Sequence, residues 1–487
     1  MTIIVSSGQI EIYSKKGQIV RDVLIEGGGV LLQNGATVIG TVIKTGGESL
    51  TQGASARNTT ISSGGQQDLA SSARASNTYI SQGGKQYVYS RAVADHTVIA
   101  GGSQTVVSAT ATDTTISSGG FQILSGGSVA SQTTVLAGGT QTISRGTTSG
   151  TVIKSGGQEI VAEYGGAVDT VISRGGVMIE HTQSGVSGVH VLSGGSAVLT
   201  GGSFDGTVDS GGFLIVEQHN TSSALPAVYK NFQISKGVTL IVQDVGVTSN
   251  TAIRGGTEIV SAGGGENGAT IYAGGKLIVA GYSASPGAFN VTITSGGEEL
   301  VSGGAMVGKT VVKNRGTQFI GLSGTAVGTT VSFGGTVIVD GGVANRAVVE
   351  QGGTLVVSSG GTAEATRLAG GHEEVLSGGK LAGVYFGSGG QLDIQAAAGV
   401  AFGAAGFGVS NVIRLDGFAF SKAETLSYNA AKKTLTITDG ALKAQITLFG
   451  SYVAAGFHLA RSNGGGTALT YQAPAAAETA ALAPPHH

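Results

Sequence analysis

The chain repeats itself about every 18 or 19 residues, and no other property narrows its fold so far. The recurring unit reads T-x-[IV]-x-S-G-G-x-Q-x-[VIL]-x-S-G-G-x-A, as in Thr60-Ile61-Ser62-Ser63-Gly64-Gly65 and Thr115-Ile116-Ser117-Ser118-Gly119-Gly120. The first glycine after each apolar segment serves as an anchor. Anchors fall at Gly27, Gly46, Gly64, Gly83, Gly101, Gly119, Gly138, Gly156, Gly175, Gly194 and Gly211, then at Gly255, Gly274, Gly296, Gly334, Gly352, Gly370 and Gly389. Degenerate anchors stand at Ser7, Lys236 and Arg315. Self-similarity at a fixed period marks a repeat architecture, here of about 20 coils.

The residues of one unit say which architecture. Stretches rich in Thr, Val and Ile favour strands, and glycine pairs between them allow positive φ at tight corners. With 87 glycines among 487 residues, segments of about four to six residues are too short and too glycine-rich for helices. A single coil cannot bury its own apolar face, so coils must stack, at about 4.8 Å per strand and on the order of 95 Å for the series. The expected fold is all-β: a parallel β-solenoid or β-helix of about 20 coils with a β-cap at its C-terminal end.

Two columns align across the repeats. Three residues before the anchor lie Ile43, Ile61, Ile80, Val98, Ile116, Val135, Ile153, Ile172 and Val191, an expected inward aliphatic stack. Three residues after it lie Gln67, Gln86, Gln104, Gln122 and Gln141, followed by Glu159. Later coils place Met178, Ala197, Leu214, Leu277, Val337 and Leu355 there, which puts the position inside. Stacked amides are expected to bond along the axis as a structural ladder; a ligand-binding stripe is the other reading.

The organisation follows the rhythm. Residues 1–26 read as an N-terminal cap and first coil, 27–396 as the solenoid, 397–472 as the C-terminal β-cap, and 473–487 as an Ala/Pro-rich linker or tail. Insertions interrupt the solenoid near 212–235 and 280–292, and such insertions map to surface loops, often on a working face. His219, Asn220 and Tyr282 are the candidate contacts on them. In the cap, Thr434–Thr438 and Ala444–Phe449 alternate around Asp439-Gly440, a hairpin turn signal.

Composition excludes several classes. A net charge of -2 gives no broad basic surface for nucleic acid. Cysteine is absent, which removes disulfides, thiol catalysis and zinc–thiolate sites. Hydrophobic residues reach 40% and charged residues only 11%, outside the range of intrinsic disorder. No apolar run is long enough for a spanning helix.

The chemical motifs dissolve in their context. Gly303-Gly304-Ala305-Met306-Val307-Gly308-Lys309-Thr310 matches the P-loop formally, but a helix should follow and Val311-Val312-Lys313 is β-like. Gly263, Gly265 and Gly268 spell G-x-G-x-x-G without a βαβ setting. His372-Glu373-Glu374 lacks the second histidine of a zinc motif. The carboxylate pairs Glu298/Glu299, Glu373/Glu374 and Asp205/Asp209 are candidates for glycosidic chemistry, yet adjacent strand residues point to opposite faces. No catalytic residue, cofactor or metal is expected, and the chain reads as a non-enzyme.

Units such as Ser125-Gly126-Gly127-Ser128-Val129-Ala130-Ser131-Gln132-Thr133-Thr134-Val135-Leu136-Ala137-Gly138-Gly139 resemble the AIDA-type repeat of self-associating bacterial autotransporter adhesins, similar to antigen 43. The resemblance covers about residues 7–395. The stretch from Asn411 to Thr467 is similar to the cap that follows such repeats in some acetic-acid-bacterium surface proteins. The resemblance implies a right-handed, three-stranded β-helix, secretion or display at the bacterial cell surface, and adhesion or aggregation in biofilms through lateral contacts. It also implies partners: the chain itself, surface glycans, and a Ser/Thr glycosyltransferase. Three readings stand: an adhesive or structural solenoid working through flat Ser, Thr and Asn faces, a polysaccharide binder or hydrolase, and a passive spacer for a further domain.

Overall fold

The computed structural model describes residues 1–181, 183–218, 228–281, 287–395 and 399–474. Among them every regular element is a β-strand except one 3-10 turn, Ala454–Gly456. No helix among them is long and apolar enough to cross a membrane. The fold is an all-β parallel β-solenoid of about 21 turns. Its residues form two compact units, Met1–Ser249 with Gly256–Ile259 and Gly263–Gly265, and Asn250–Gly255 with Val260–Ala262 and Glu266–His487.

One coil of the first unit shows the plan. Phe121–Ser125 lies on a first face, Val129–Ser131 on a second and Thr134–Val135 on a third. The next coil repeats it with Thr140–Ser144, Thr147–Ser149 and Val152–Ile153. Pairing is parallel and in register, Gln122 over Gln141, Ala130 over Thr148 and Val135 over Ile153. Each residue therefore stacks on the same position of its neighbouring coil. Each face contributes an inward apolar column to the core. The first face contributes Leu69, Val88, Val106, Leu124 and Ile143, the second Ala56, Ala75, Ala94, Ala111 and Ala130, and the third Ile61, Ile80, Ile99 and Ile116, all at most 1% exposed.

Two expectations need correction. Val98 does not join the inward column: it is 37% exposed, while Ile99 is fully buried and pairs with Ile116. The coil Thr97-Val98-Ile99-Ala100-Gly101 has one residue fewer before its glycine, so counting back three lands on the outward neighbour. The degenerate anchor is Gly237 rather than Lys236. Gly211 donates its N–H to the Gly237 carbonyl at 2.7 Å, continuing the corner series Gly138 to Gly156, Gly175, Gly194 and Gly211. Gly237 also holds the left-handed φ of +79° that the corner requires.

The paired glycines answer two different constraints. The first of a pair is left-handed, as at Gly119 with φ +80°, where a Cβ would meet nothing within 4 Å. The second is excluded by proximity: at Gly139 a Cβ would lie 2.5 Å from the Ile116 carbonyl oxygen of the coil beneath. At the corner between the second and third faces, Asn58, Asn77 and Asp113 take the left-handed region instead, as these residues do more readily than other L-residues.

The ends differ from the middle. In the first coil, Glu11 and Tyr13 stand over the inward Val30 and Leu32 and so close that end of the first face, while Val20 and Val5 begin the columns of the other two. Beyond residue 399 antiparallel pairs join the parallel ones. Val412–Leu415 runs parallel beside Gln391–Ile394 and antiparallel to Thr467–Tyr471. Leu442–Phe449 lies parallel beside Val400–Ala405 and forms a hairpin with Thr434–Asp439.

The two glycine constraints predict unequal costs. Gly119→Ala should lower stability by about 1–2 kcal/mol, the cost of a left-handed L-residue. Gly139→Ala should cost clearly more, because a backbone carbonyl in the adjoining coil must move. Urea midpoints of the two variants against the parent check this; equal losses would refute the distinction.

Candidate functional site

The most ordered chemical array in the molecule is internal. Gln141 Nε2 donates to Gln122 Oε1 at 2.7 Å, Gln122 to Gln104 at 2.6 Å, Gln104 to Gln86 at 2.7 Å and Gln86 to Gln67 at 2.7 Å. Gln67 then donates to Glu48 Oε2 at 2.6 Å. All six side chains are at most 1% exposed. Each amide also donates to a threonine hydroxyl of its own coil, such as Thr97 for Gln104 at 3.3 Å and Thr114 for Gln122 at 3.2 Å. At the far end Thr151 donates to Gln141 Oε1 at 3.3 Å. The run has one direction and ends on an acceptor-only carboxylate.

Sequence reasoning missed several members of this interior set. Glu48 escaped because its coil carries glycine one place off the anchor count, Gly46 pairing with Gly65. In the second unit, Gln318 donates to Glu299 at 2.7 Å, Thr310 donates to Glu299 at 3.0 Å, and Thr366 donates to Glu373 at 3.2 Å. Burial drives the acids toward the neutral form. Glu159 and Glu299 are pushed up to about 7 and Glu373 to about 8 by desolvation, with threonine and glutamine donors acting in the opposite sense. Glu299 Oε1 and Glu373 Oε2 have no hydrogen-bond partner among the described residues.

Two of the three carboxylate pairs considered for glycosidic chemistry, Glu298/Glu299 and Glu373/Glu374, are split by the strand. Glu298 is exposed and bonded to Lys276 at 3.0 Å, whereas its neighbour Glu299 is 1% exposed. Glu373 is buried while His372 and Glu374 face outward. Asp209 pairs with His190 at 3.0 Å on the surface. A cavity of about 450 Å³ beside the first insertion is lined by Phe204, Phe232, Lys230 and one carboxylate, Asp205. Two facing carboxylates, the minimum for glycosidic cleavage, are not on its lining.

The remaining sequence leads resolve similarly. His219, Asn220 and Tyr282 lie outside the described residues. The P-loop-like segment forms short strands, Met306–Gly308 and Val311–Val312, around a left-handed Lys309. At one corner Asp95, His96 and Asp113 bring three ligand-type atoms within 4.8 Å. There the imidazole pairs with Asp95 at 2.9 Å and with Asp113 at 3.5 Å. His96 is raised above its usual value chiefly by the Asp95 hydrogen bond.

The outer surface departs from the expected run of Ser, Thr and Asn. On the first face of the first unit, Ile160, Ile179, Val198, Ile215 and Ile241 stack in register, pointing outward and half-buried. In the second unit Ile278, Leu300, Phe319, Ile338 and Val356 do the same. That second column ends in charge, at Glu374, Asp393 and Arg414, with Arg414 Nη1 3.1 Å from Asp393. The signal was present in uninterrupted apolar runs such as Phe213-Leu214-Ile215-Val216, which offer an aliphatic side chain to both faces.

Two tests probe the interior. Gln104→Leu removes the donor to Gln86 and the acceptor of Gln122, and each orphaned buried group costs about 1–3 kcal/mol. Replacing Gln86, Gln104 and Gln122 together should cost less per residue, because partners vanish in pairs; denaturant midpoints decide. The acids predict a pH response. Their folded-state values lie above the unfolded 4.5, so their contribution is complete below about pH 4.5 and is lost as pH rises to about 7–8. The urea midpoint should therefore fall between pH 5 and pH 8.5, and Glu373→Gln should flatten that fall.

Comparison with known proteins places these features in context. A family model described as adhesin of bacterial autotransporter system, probable stalk, matches residues 49–103 and 336–390. No curated protein matches the chain. Among solved structures, a hyperglycosylated fragment of TibA, glycosylated by TibC, aligns at 25% identity over 70% of this chain and 97% of that one, with a TM-score of 0.31. The two family-model matches fall one in each unit. In its repeats the chain is similar to the AIDA-type stalk of bacterial autotransporter adhesins.

Proposed function

We propose that this chain is an exported, non-enzymatic adhesive solenoid that acts at the bacterial surface, with copies associating side by side in aggregation and biofilms. The observation that carries the reading is the outward aliphatic column on the first face of each unit, at Ile160–Ile241 and at Ile278–Val356. Stacking along the sheet accounts for only part of each side chain's burial, and a continuous half-exposed row of apolar side chains marks a contact surface. The Ser, Thr and Asn side chains beside them add hydrogen bonds of about 0.5–1.5 kcal/mol each, weak singly and additive over many coils. The internal glutamine ladder has a structural part in this reading: it holds in register the coils from Glu48 to Gln141, which precede the first outward column.

The repeat similarity to autotransporter adhesin stalks supports surface display. The TibA fragment is glycosylated by TibC, and by extension the Ser and Thr hydroxyls at the corners of this chain are acceptors for a partner glycosyltransferase. A polysaccharide hydrolase is disfavoured by the single carboxylate on the cavity beside the first insertion.

Sedimentation velocity of the purified chain over a wide concentration range tests the reading. Reversible dimers or larger species are expected, and Ile179→Lys with Ile215→Lys should weaken association at least about tenfold, equivalent to 1.4 kcal/mol. A monomer at every concentration would leave the chain a passive spacer.

A further inference from the structure

Near the start of the cap, the outer surface of the second unit has a notch walled by two aromatic side chains. Tyr385 is in register with Ala405, and Ala405 with Phe449, so the three form one outward column. The two aromatic rings are 58% and 56% exposed and stand two rungs apart, about 10 Å by strand spacing. Between them only a methyl group projects. The floor is made of Ala365, Ala382, Gly383, Gly403 and Ala405, and it encloses about 330 Å³ with Glu364 at the rim. That volume is at the small end of ligand pockets. Phe449 leans over Gly403, where a Cβ would come within 3.0 Å of the ring.

The chemistry of the walls selects the occupant. Two exposed rings present apolar surface to a flat guest, and the bare glycine and alanine floor leaves main-chain groups within reach. Glu364, which already accepts a hydrogen bond from Asn345 at 2.8 Å, offers a carboxylate to hydroxyl donors and repels an anion. Arg367 occupies the rung beneath Tyr385, so one negative and one positive side chain flank the notch and their opposite charges leave no net preference for an ion. A neutral ring with apolar C–H faces and a rim of hydroxyls meets all of these conditions. We infer that the Tyr385–Phe449 notch is a binding site for one neutral sugar ring, as part of a surface glycan. Recognition by this notch is independent of association through the aliphatic columns.

Saturation-transfer-difference NMR on the intact chain tests the site, with glucose, galactose and mannose as neutral probes and glucuronate and glucosamine as charged ones. The expected result is transfer to at least one neutral sugar at millimolar affinity, with at least about tenfold weaker binding of the charged probes. Tyr385→Ala and Phe449→Ala should each remove the signal. Ala405→Leu, which fills the notch while leaving both rings in place, should do so with the thermal midpoint unchanged. Phe333→Ala, at an aromatic that is 76% exposed elsewhere in the same unit, should not alter it. Absence of transfer from every neutral sugar, equal binding of the charged probes, or a signal surviving Ala405→Leu would each overturn the assignment. Loss of self-association without loss of sugar transfer would count against the aliphatic columns alone.

Discussion

In-register parallel stacking governs everything else in this molecule. When each residue sits on its counterpart one coil away, any buried polar side chain must find its partner along the axis or go without. Glutamine meets this demand because its amide is both donor and acceptor at a span that matches the rung spacing, so each Nε2 reaches the Oε1 beneath. A carboxylate can only accept, which is why Glu48 stands where the run stops. Where acids appear alone, as at Glu373, desolvation keeps them neutral and a single threonine serves them. The ladder is broken if one coil slips by a residue, since the period-two alternation would turn that coil's amide outward.

The same stacking dictates the corners. Close approach of backbone to backbone is what makes the second glycine obligatory in pairs such as Gly119-Gly120 and Gly138-Gly139, while the first is needed for its left-handed turn. Where the chain substitutes Arg315 for the first glycine, it accepts a left-handed L-residue, with φ +66°, rather than surrender the corner hydrogen bond to Gly334 at 2.7 Å.

Much of this was legible in the sequence because stacking writes itself as periodicity. The coil length, the strand content and the left-handed glycines follow from the spacing of G-G pairs and T-x-[IV] segments alone. Val98 misled because anchor counting assumes a corner of constant length, and that coil is one residue short between Ile99 and Gly101. Lys236 misled for a related reason, the chain choosing the next residue, Gly237, for the turn. The outward columns were harder to see. Runs such as Leu277-Ile278-Val279 read simply as core, and only burial separates Leu277 and Val279 from the outward Ile278. The Tyr385–Phe449 notch has no sequence signature, because its two walls come from strands 64 residues apart that meet only through Ala405.

The one-way glutamine run also bears on how such chains change in length. Every interior rung of that run receives from one neighbour and gives to the other in the same manner, so the coil holding Gln86 and the coil holding Gln122 are interchangeable parts. Excising or duplicating a whole period between them leaves donors facing acceptors, with Glu48 still closing the sequence of bonds. Recombination between near-identical repeats, which would wreck an ordinary globular core, can here lengthen or shorten the molecule one coil at a time without disturbing its interior chemistry.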